Sequence, residues 1–217
     1  MTSLPSTAPH PLPGAPPGHP PRRAIVPDPA WAAARPALLE RLGRFGDELQ
    51  AGELPAWLTP LMREVLTLGL AEAGADEGTI WLVDEPGQAL VATWNNGPHA
   101  GKFLGHRQSL REGLVSLVFA SEQPVLENAV DQHPGHSKLV DQKLQVATKS
   151  MLVVPFYFLG GCRGVISGVQ LAGHQMPPTR PPGFQGRDLA TLQRTAGLLT
   201  NLLDLEVLSR VVGWRGG

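Results

Sequence analysis

His133-Pro134-Gly135-His136, flanked by Asp131 and Asp141, is where this chain comes nearest to the composition of a metal site. Two imidazoles three residues apart can share one ion. The intervening proline and glycine force a turn, so no helical face aligns the rings, and polar loop residues are the competing reading. His99 and His106 could add nitrogen donors, but at no fixed spacing. Cys162 is the single thiol. It is open to reading as a redox or anchoring group or as an inert strand cysteine, and thiol reductases of the resolving type need a second cysteine. The carboxylates Glu53, Asp76, Asp84 and Asp131 are scattered without a partner pattern. There is no Gly-x-Ser-x-Gly elbow, no Gly-rich phosphate loop opening a helix and no His-Glu-x-x-His. The expectation from these residues is a protein that is not an enzyme, and no cofactor is named by them.

Composition bounds the rest. In 217 residues, 18 Lys and Arg stand against 19 Asp and Glu, so neither a nucleic-acid partner nor an acidic block is indicated. A 42% hydrophobic content suffices for a core. The abundant alanine, glycine and proline with one tyrosine read as a GC-rich bacterial coding bias. No signal-peptide core is visible, and the longest apolar run, Met151 to Leu159, is far shorter than the ~20 residues that span a bilayer. A cytoplasmic protein without a membrane partner is expected.

Ten of the 22 prolines lie in the first 29 residues. Proline lacks a backbone donor and favours extended geometry, so residues 1–35 read as a disordered leader. A solvated tail and a ligand for a proline-recognising module are both open for it. From Pro36 the spacing of Leu38, Leu39, Leu42 and Phe45 is helical, which assigns 36–54 to an N-terminal helix. A second helix covers Pro55 to Ala73, with Thr59-Pro60 an alternative start. Short strands follow at Thr79–Val83 and Gln88–Trp94, then a helix at Gly113–Ser121, a strand at Pro124–Glu127 and a short helix at Ser137–Gln145. Ser150 to Leu171 reads as a hairpin turning at Gly160-Gly161, with Val154 and Ile166 in the core. After a proline-rich loop at Met176–Gly186, a last helix spans Arg187 to Val212. The order implies an α+β domain over 55–213, with an antiparallel sheet and helices at both ends.

Three segments together resemble the GAF domain family. The first is Gly74-Ala75-Asp76 followed by Gly78-Thr79-Ile80-Trp81-Leu82-Val83-Asp84. The second is Gly113-Leu114-Val115 with Phe119, then Gln123-Pro124-Val125-Leu126, Asn128 and Asp131. The third is Thr148-Lys149-Ser150-Met151-Leu152-Val153-Val154-Pro155, then Gly164-Val165-Ile166 and Val169-Gln170-Leu171. The resemblance implies a sheet of five or six strands, helices on one face and a ligand pocket on the other. It also implies a sensory or regulatory role, with a pure scaffold or adaptor as the alternative. It points to Phe119, Asn128, Asp131, Thr148 and Ser150 as ligand-binding residues. Thr148 and Ser150 flank Lys149, so strand alternation would put both hydroxyls on one side. Turn and cap chemistry is the competing reading for Asn128 and Asp131. Some family members bind cyclic nucleotides through an Asn-Lys-Phe-Asp-Glu signature. Phe184 and Asp188 fit its later part, but Gly173, His174 and Leu189 stand where Asn, Lys and Glu would fall, so weak or no cyclic-nucleotide binding is expected.

In the last helix, Leu189, Leu192, Ala196, Leu199 and Leu203 follow a 3-4 spacing, while Leu202, Leu205, Val207, Leu208, Val211 and Val212 widen the apolar stripe. One sheet covers only about 100° of a helix. The excess predicts a homodimer through the terminal helices, with Leu199 and Leu203 at its seam. The GAF-like region takes up the chain, so output is expected through dimerisation or a signalling protein partner, in response to a small-molecule ligand of unknown identity.

Overall fold

The computed structural model describes residues 28–84, 89–98, 100–132, 147–173 and 182–214. The leader up to residue 27, the expected helix at Ser137–Gln145 and the His133–His136 motif lie outside the described residues. The chain divides into two units, 1–36 and 37–217.

Helix α1 runs Pro29–Glu48, starting ahead of the expected Pro36. Asp28 explains the difference. Its carboxylate accepts the Ala30 N–H at 2.8 Å, and Pro29 takes the first helical position, where a missing N–H costs nothing. The alanine-rich stretch that follows carries the helix through Pro36. One 3-10 turn (Ala51–Glu53) leads into α2 (Leu54–Trp57). Helix α3 (Pro60–Ala73) begins at the alternative start: the Thr59 hydroxyl accepts the Met62 N–H at 3.3 Å, and Gly74 closes the helix at φ 72°.

The strands are β1 (Glu77–Val83), β2 (Ala89–Asn95), β3 (Arg107–Ser109), β4 (Val125–Glu127), β5 (Thr148–Phe158) and β6 (Gly161–Leu171). They form one six-stranded sheet in the order β3-β2-β1-β6-β5-β4, with every neighbouring pair antiparallel. Helix α4 (Ala100–Phe103) precedes β3, and α5 (Leu114–Ser121) precedes β4. Helix α6 (Gly186–Val211) ends the domain. This is the α+β architecture expected from the sequence. Helix α4 and strand β3 are the elements that periodicity missed, because three or four residues are too few to set a period.

Alternation divides the sheet. Ile80, Leu82, Leu152, Val154, Phe156, Phe158 and Ile166 pack against α3 and α6 as the larger core. Val154 and Ile166, register partners across β5–β6, are 1% and 0% exposed. Leu199 and Leu203 belong to this same core, at 0% and 1% exposed. The expectation that they face a second subunit is therefore corrected: the core buries Leu192, Ala196, Leu199 and Leu203 of the 3-4 stripe and partly covers Leu189.

The β5–β6 turn is Leu159-Gly160, at φ 49° and 81°, rather than Gly160-Gly161. A two-residue hairpin with both positions left-handed matches strand twist. Leucine rarely adopts that conformation. Here the Asp204 carboxylate on α6 accepts the Leu159 N–H at 2.8 Å, and the leucine side chain packs on the core. Thr200, also on α6, donates to the Tyr157 carbonyl at 2.5 Å. From the other side, Asp47 of α1 pairs with Arg163 at 2.7 Å, and buried Gly46 packs beneath Leu159 and Arg163.

Helices α3 and α6 meet at Gly69, where any β-carbon would collide with the Thr195 side chain. Thr195 is itself buried and donates to the Thr191 carbonyl at 3.0 Å. Gly69→Leu should force the two helices apart and cost about 1–3 kcal/mol, the range for overpacking a close contact. Urea denaturation checks this, and an unchanged midpoint would show that the crossing has room to spare.

Candidate functional site

The face of the sheet turned away from α3 and α6 is where a pocket is expected, and its lining follows from the odd-numbered positions of β1, β5 and β6 and the even-numbered positions of β2. Trp81 of β1, Val165 of β6 and Val153 of β5 stand beside Leu90 and Ala92 of β2. Above them lie Phe103 of α4, Leu114, Val115 and Val118 of α5, and Val130 of the 3-10 turn Val130–Gln132. Trp81 is the centre. Its ring meets Phe103 edge-on at 5.2 Å and His106 at 6.3 Å, and Phe103 stacks on His106 at 5.7 Å. The indole N–H donates to the Ser167 hydroxyl at 3.0 Å. An aromatic set with one oriented polar pair can hold a planar ligand edge, and it can equally fill the space itself.

The five expected binding residues do not converge on this cluster. Phe119 packs at its margin, from α5. Thr148 and Ser150 are both buried, but the register shifts between them: Thr148 pairs with Leu171 and Ser150 with Gln170. Cross-strand partners share a face, and Gln170 reaches the Gly74 carbonyl at the end of α3. Ser150 therefore stands on the helix-covered side and Thr148 on the other. The expectation of two hydroxyls on one side fails because a bulge interrupts the alternation. Asn128 clamps the start of α6. Its side-chain oxygen accepts the Phe184 N–H at 2.7 Å, and its amide donates to the Phe184 carbonyl at 3.0 Å. Asp131 lies in the 3-10 turn, with its side chain outside the described residues.

Phe184 and Asp188, the two positions that fit the cyclic-nucleotide signature, have local tasks. Phe184 is buried in the larger core, and the Asp188 carboxylate accepts the Gln185 N–H at 2.8 Å in a capping box. Sequence reasoning missed Trp81, Phe103, His106 and Ser167 as a group. Trp81 was detectable, since it alternates with the core residues Ile80 and Leu82. Phe103 and His106 were not, because they sit in a stretch dense in turns.

Cys162 pairs across the hairpin with Tyr157. Burial pushes its thiol up from the ordinary value, more than the Gly164 carbonyl contact and nearby Arg163 pull it down. A thiol that stays protonated is a poor nucleophile. Tyr157 donates its hydroxyl to Glu122 at 2.7 Å. That bond, with burial second, raises the phenol to about 12. Tyr157 is the single tyrosine, so its phenolate absorbance is read without interference. At pH 10.5 less than about a tenth of it should be ionised, against about three quarters for an ordinary phenol. Glu122→Gln should move the titration midpoint back toward the ordinary value, and a midpoint near 10 in the unaltered protein would refute the bond.

Among the described residues, no helix is long and apolar enough to cross a membrane. A family model described as GAF domain matches residues 56–204. No curated protein matches the chain in sequence. Among solved structures, the GAF-B domain of DevS from Mycobacterium smegmatis is similar at 17% identity and a TM-score of 0.51, covering 70% of this chain and 98% of that one. The GAF domain of a phosphoenolpyruvate-protein phosphotransferase from Coxiella burnetii gives 18%, 0.51, 84% and 98% in the same terms. A type II free methionine-R-sulfoxide reductase from Thermoplasma acidophilum gives 18%, 0.50, 75% and 94%. At these identities the likeness speaks for the fold alone, and GAF domains of other proteins and a sulfoxide reductase share it. The family match covers most of the chain and agrees with that fold: this chain belongs to the GAF domain family.

Proposed function

We propose that this chain is a non-catalytic, small-molecule-sensing or regulatory module of the cytoplasm that passes its state through its terminal helices and acts as a homodimer read by a signalling protein. The observation that carries the reading is the shared grip on the β5–β6 turn: α6 holds it through Thr200 and Asp204, and α1 through Asp47 and Gly46. A ligand that shifts β5 or β6 from the opposite face would act on both helices at one point. Of the expected set, we assign such a ligand to Phe119, which packs against the cluster on that face, and to Thr148, the register partner of Leu171.

The non-catalytic part is supported by what the inward carboxylates do. Asp76 accepts the Leu171 N–H, Asp84 the Ala89 N–H, Asp188 the Gln185 N–H and Asp204 the Leu159 N–H, each at 2.8 Å. Asp84 also pairs with Arg107. Carboxylates held this way brace turns and caps rather than standing ready to move protons. The adaptor reading has its own support in the Trp81-centred cluster, where side chains already occupy the space between the sheet and α4 and α5. Native mass spectrometry of freshly purified protein separates the two: a copurified small molecule fits the sensor, and bare polypeptide under gentle ionisation fits the adaptor.

The dimer proposal moves to the outer face of α6. Leu198, Leu205 and Val212 recur every seven residues and are 48%, 52% and 44% exposed, with half-buried Leu202 between them. A seven-residue apolar repeat on an exposed face is the spacing of a two-helix seam. Leu198→Glu with Leu205→Glu should convert a dimer into a monomer, measured by light scattering at tens of micromolar, and leave the core packing of Leu199 and Leu203 untouched. A monomeric unaltered protein at that concentration would end the dimer proposal.

A further inference from the structure

Of the four asparagines in the chain, Asn96 alone precedes a glycine. Asparagine is a thermolabile side chain, and a following glycine is its most reactive setting. The amide nitrogen of the next residue attacks the side-chain carbonyl carbon, and glycine, with no β-carbon, hinders that approach least. Asn96 is exposed and lies between the end of β2 and the start of α4. The fold calls for both members of the pair. A β-carbon at Gly97 would collide with the Glu77 carboxylate. The Asn96 side-chain oxygen accepts the Gly78 N–H at 2.7 Å, and the Asn96 N–H donates to the Gly78 carbonyl at 3.3 Å.

The attacking nitrogen is held as well. The Gly97 N–H donates to the Asn95 side-chain oxygen at 2.7 Å. Asn95 is itself fixed, because its amide donates to the hydroxyl of Thr79, its register partner on β1, at 2.9 Å. The Gly97 nitrogen must leave that bond and give up its proton before it can react, so Asn95 opposes the step.

We propose that Asn96 is a site of spontaneous deamidation and that Asn95 is the residue that holds it in check. The Gly97 nitrogen bonds to the Asn96 side-chain carbonyl carbon, ammonia leaves with the Gly97 amide proton, and a succinimide ring closes. Water then opens the ring. Opening at the side-chain carbonyl gives aspartate, whose carboxylate still accepts from Gly78. Opening at the backbone carbonyl gives isoaspartate, which lengthens the main chain by a methylene between β2 and α4. That helix carries Phe103 against Trp81, so the modification reaches the sheet face whether or not a ligand binds there.

Peptide mapping by chromatography and mass spectrometry tests this on the full chain, incubated at neutral pH and physiological temperature. Asparagine, aspartate and isoaspartate at position 96 are counted over time. Conversion should be slower in the folded protein than in the chain held unfolded in guanidinium. Asn95→Ala should speed it about fivefold in the folded state, the effect of one net hydrogen bond. Asn95→Asp keeps the accepting oxygen and should restore the slow rate. Gly69→Leu loosens the fold elsewhere, and its Asn96 should convert at the unaltered rate. No conversion in guanidinium would overturn the site. Equal rates in the folded and unfolded chain, an unchanged rate in Asn95→Ala, or Asn95→Asp as fast as Asn95→Ala would each overturn the role of Asn95. Equal acceleration by Gly69→Leu would assign the effect to loosened folding and overturn that role too. In the isolated isoaspartate form, the Leu104 N–H, bonded to the Ala100 carbonyl, should exchange faster, and unchanged exchange would overturn the reach to α4.

Discussion

One two-residue turn is gripped by both terminal helices of this domain. Leu159 is kept in a left-handed conformation that leucine avoids, and the Asp204 carboxylate on its N–H is what keeps it there. Strain of this kind persists only where the surroundings over-determine it. Here they do so from three sides: the hydroxyl of Thr200 on the Tyr157 carbonyl, the ion pair of Arg163 with Asp47, and the leucine side chain on the core. The turn sets the register of β5 and β6, the two longest strands. Strand β6 in turn pairs with β1, and β5 with β4, so an error at the turn would propagate across the sheet.

The two faces of that sheet solve different problems. The face toward α3 and α6 is aliphatic and phenylalanine-rich, closed by a helix crossing that only glycine at position 69 permits. Its burial supplies the stability on which everything else stands. The opposite face is a shorter, mixed layer in which an imidazole and a hydroxyl are each brought against one indole. A layer of that composition is where chemistry other than packing can be written, and it lies on the same strands that end in the gripped turn.

Much of this was legible in the residues. Thr59-Pro60 and Gly74 punctuate α3 by known cap chemistry, and the apolar continuity of Met151–Leu159 declares a buried strand. The candidate site was far less so. Thr148 and Ser150 were placed together by simple alternation, and a bulge that no residue type announces moved them to opposite faces. Asn128 reads as a binding residue in isolation, yet its partner is the backbone of Phe184, 56 residues away. Leu199 and Leu203 carried a seam-like spacing, but spacing identifies a face without saying what covers it. Local rules fix elements, while sites depend on contacts between segments distant in sequence.

The central claim is that the β5–β6 turn couples α6 to α1. Asp204→Ala removes a contact that α6 makes with the turn and touches nothing on α1, so amide hydrogen exchange across residues 40–48 tests the claim directly. Faster exchange in that segment of α1, with the strands β1 and β6 still protected, is the result the account predicts. Unchanged exchange in α1, alongside loss of protection at the Leu159 N–H alone, would contradict it and leave the two terminal helices independent.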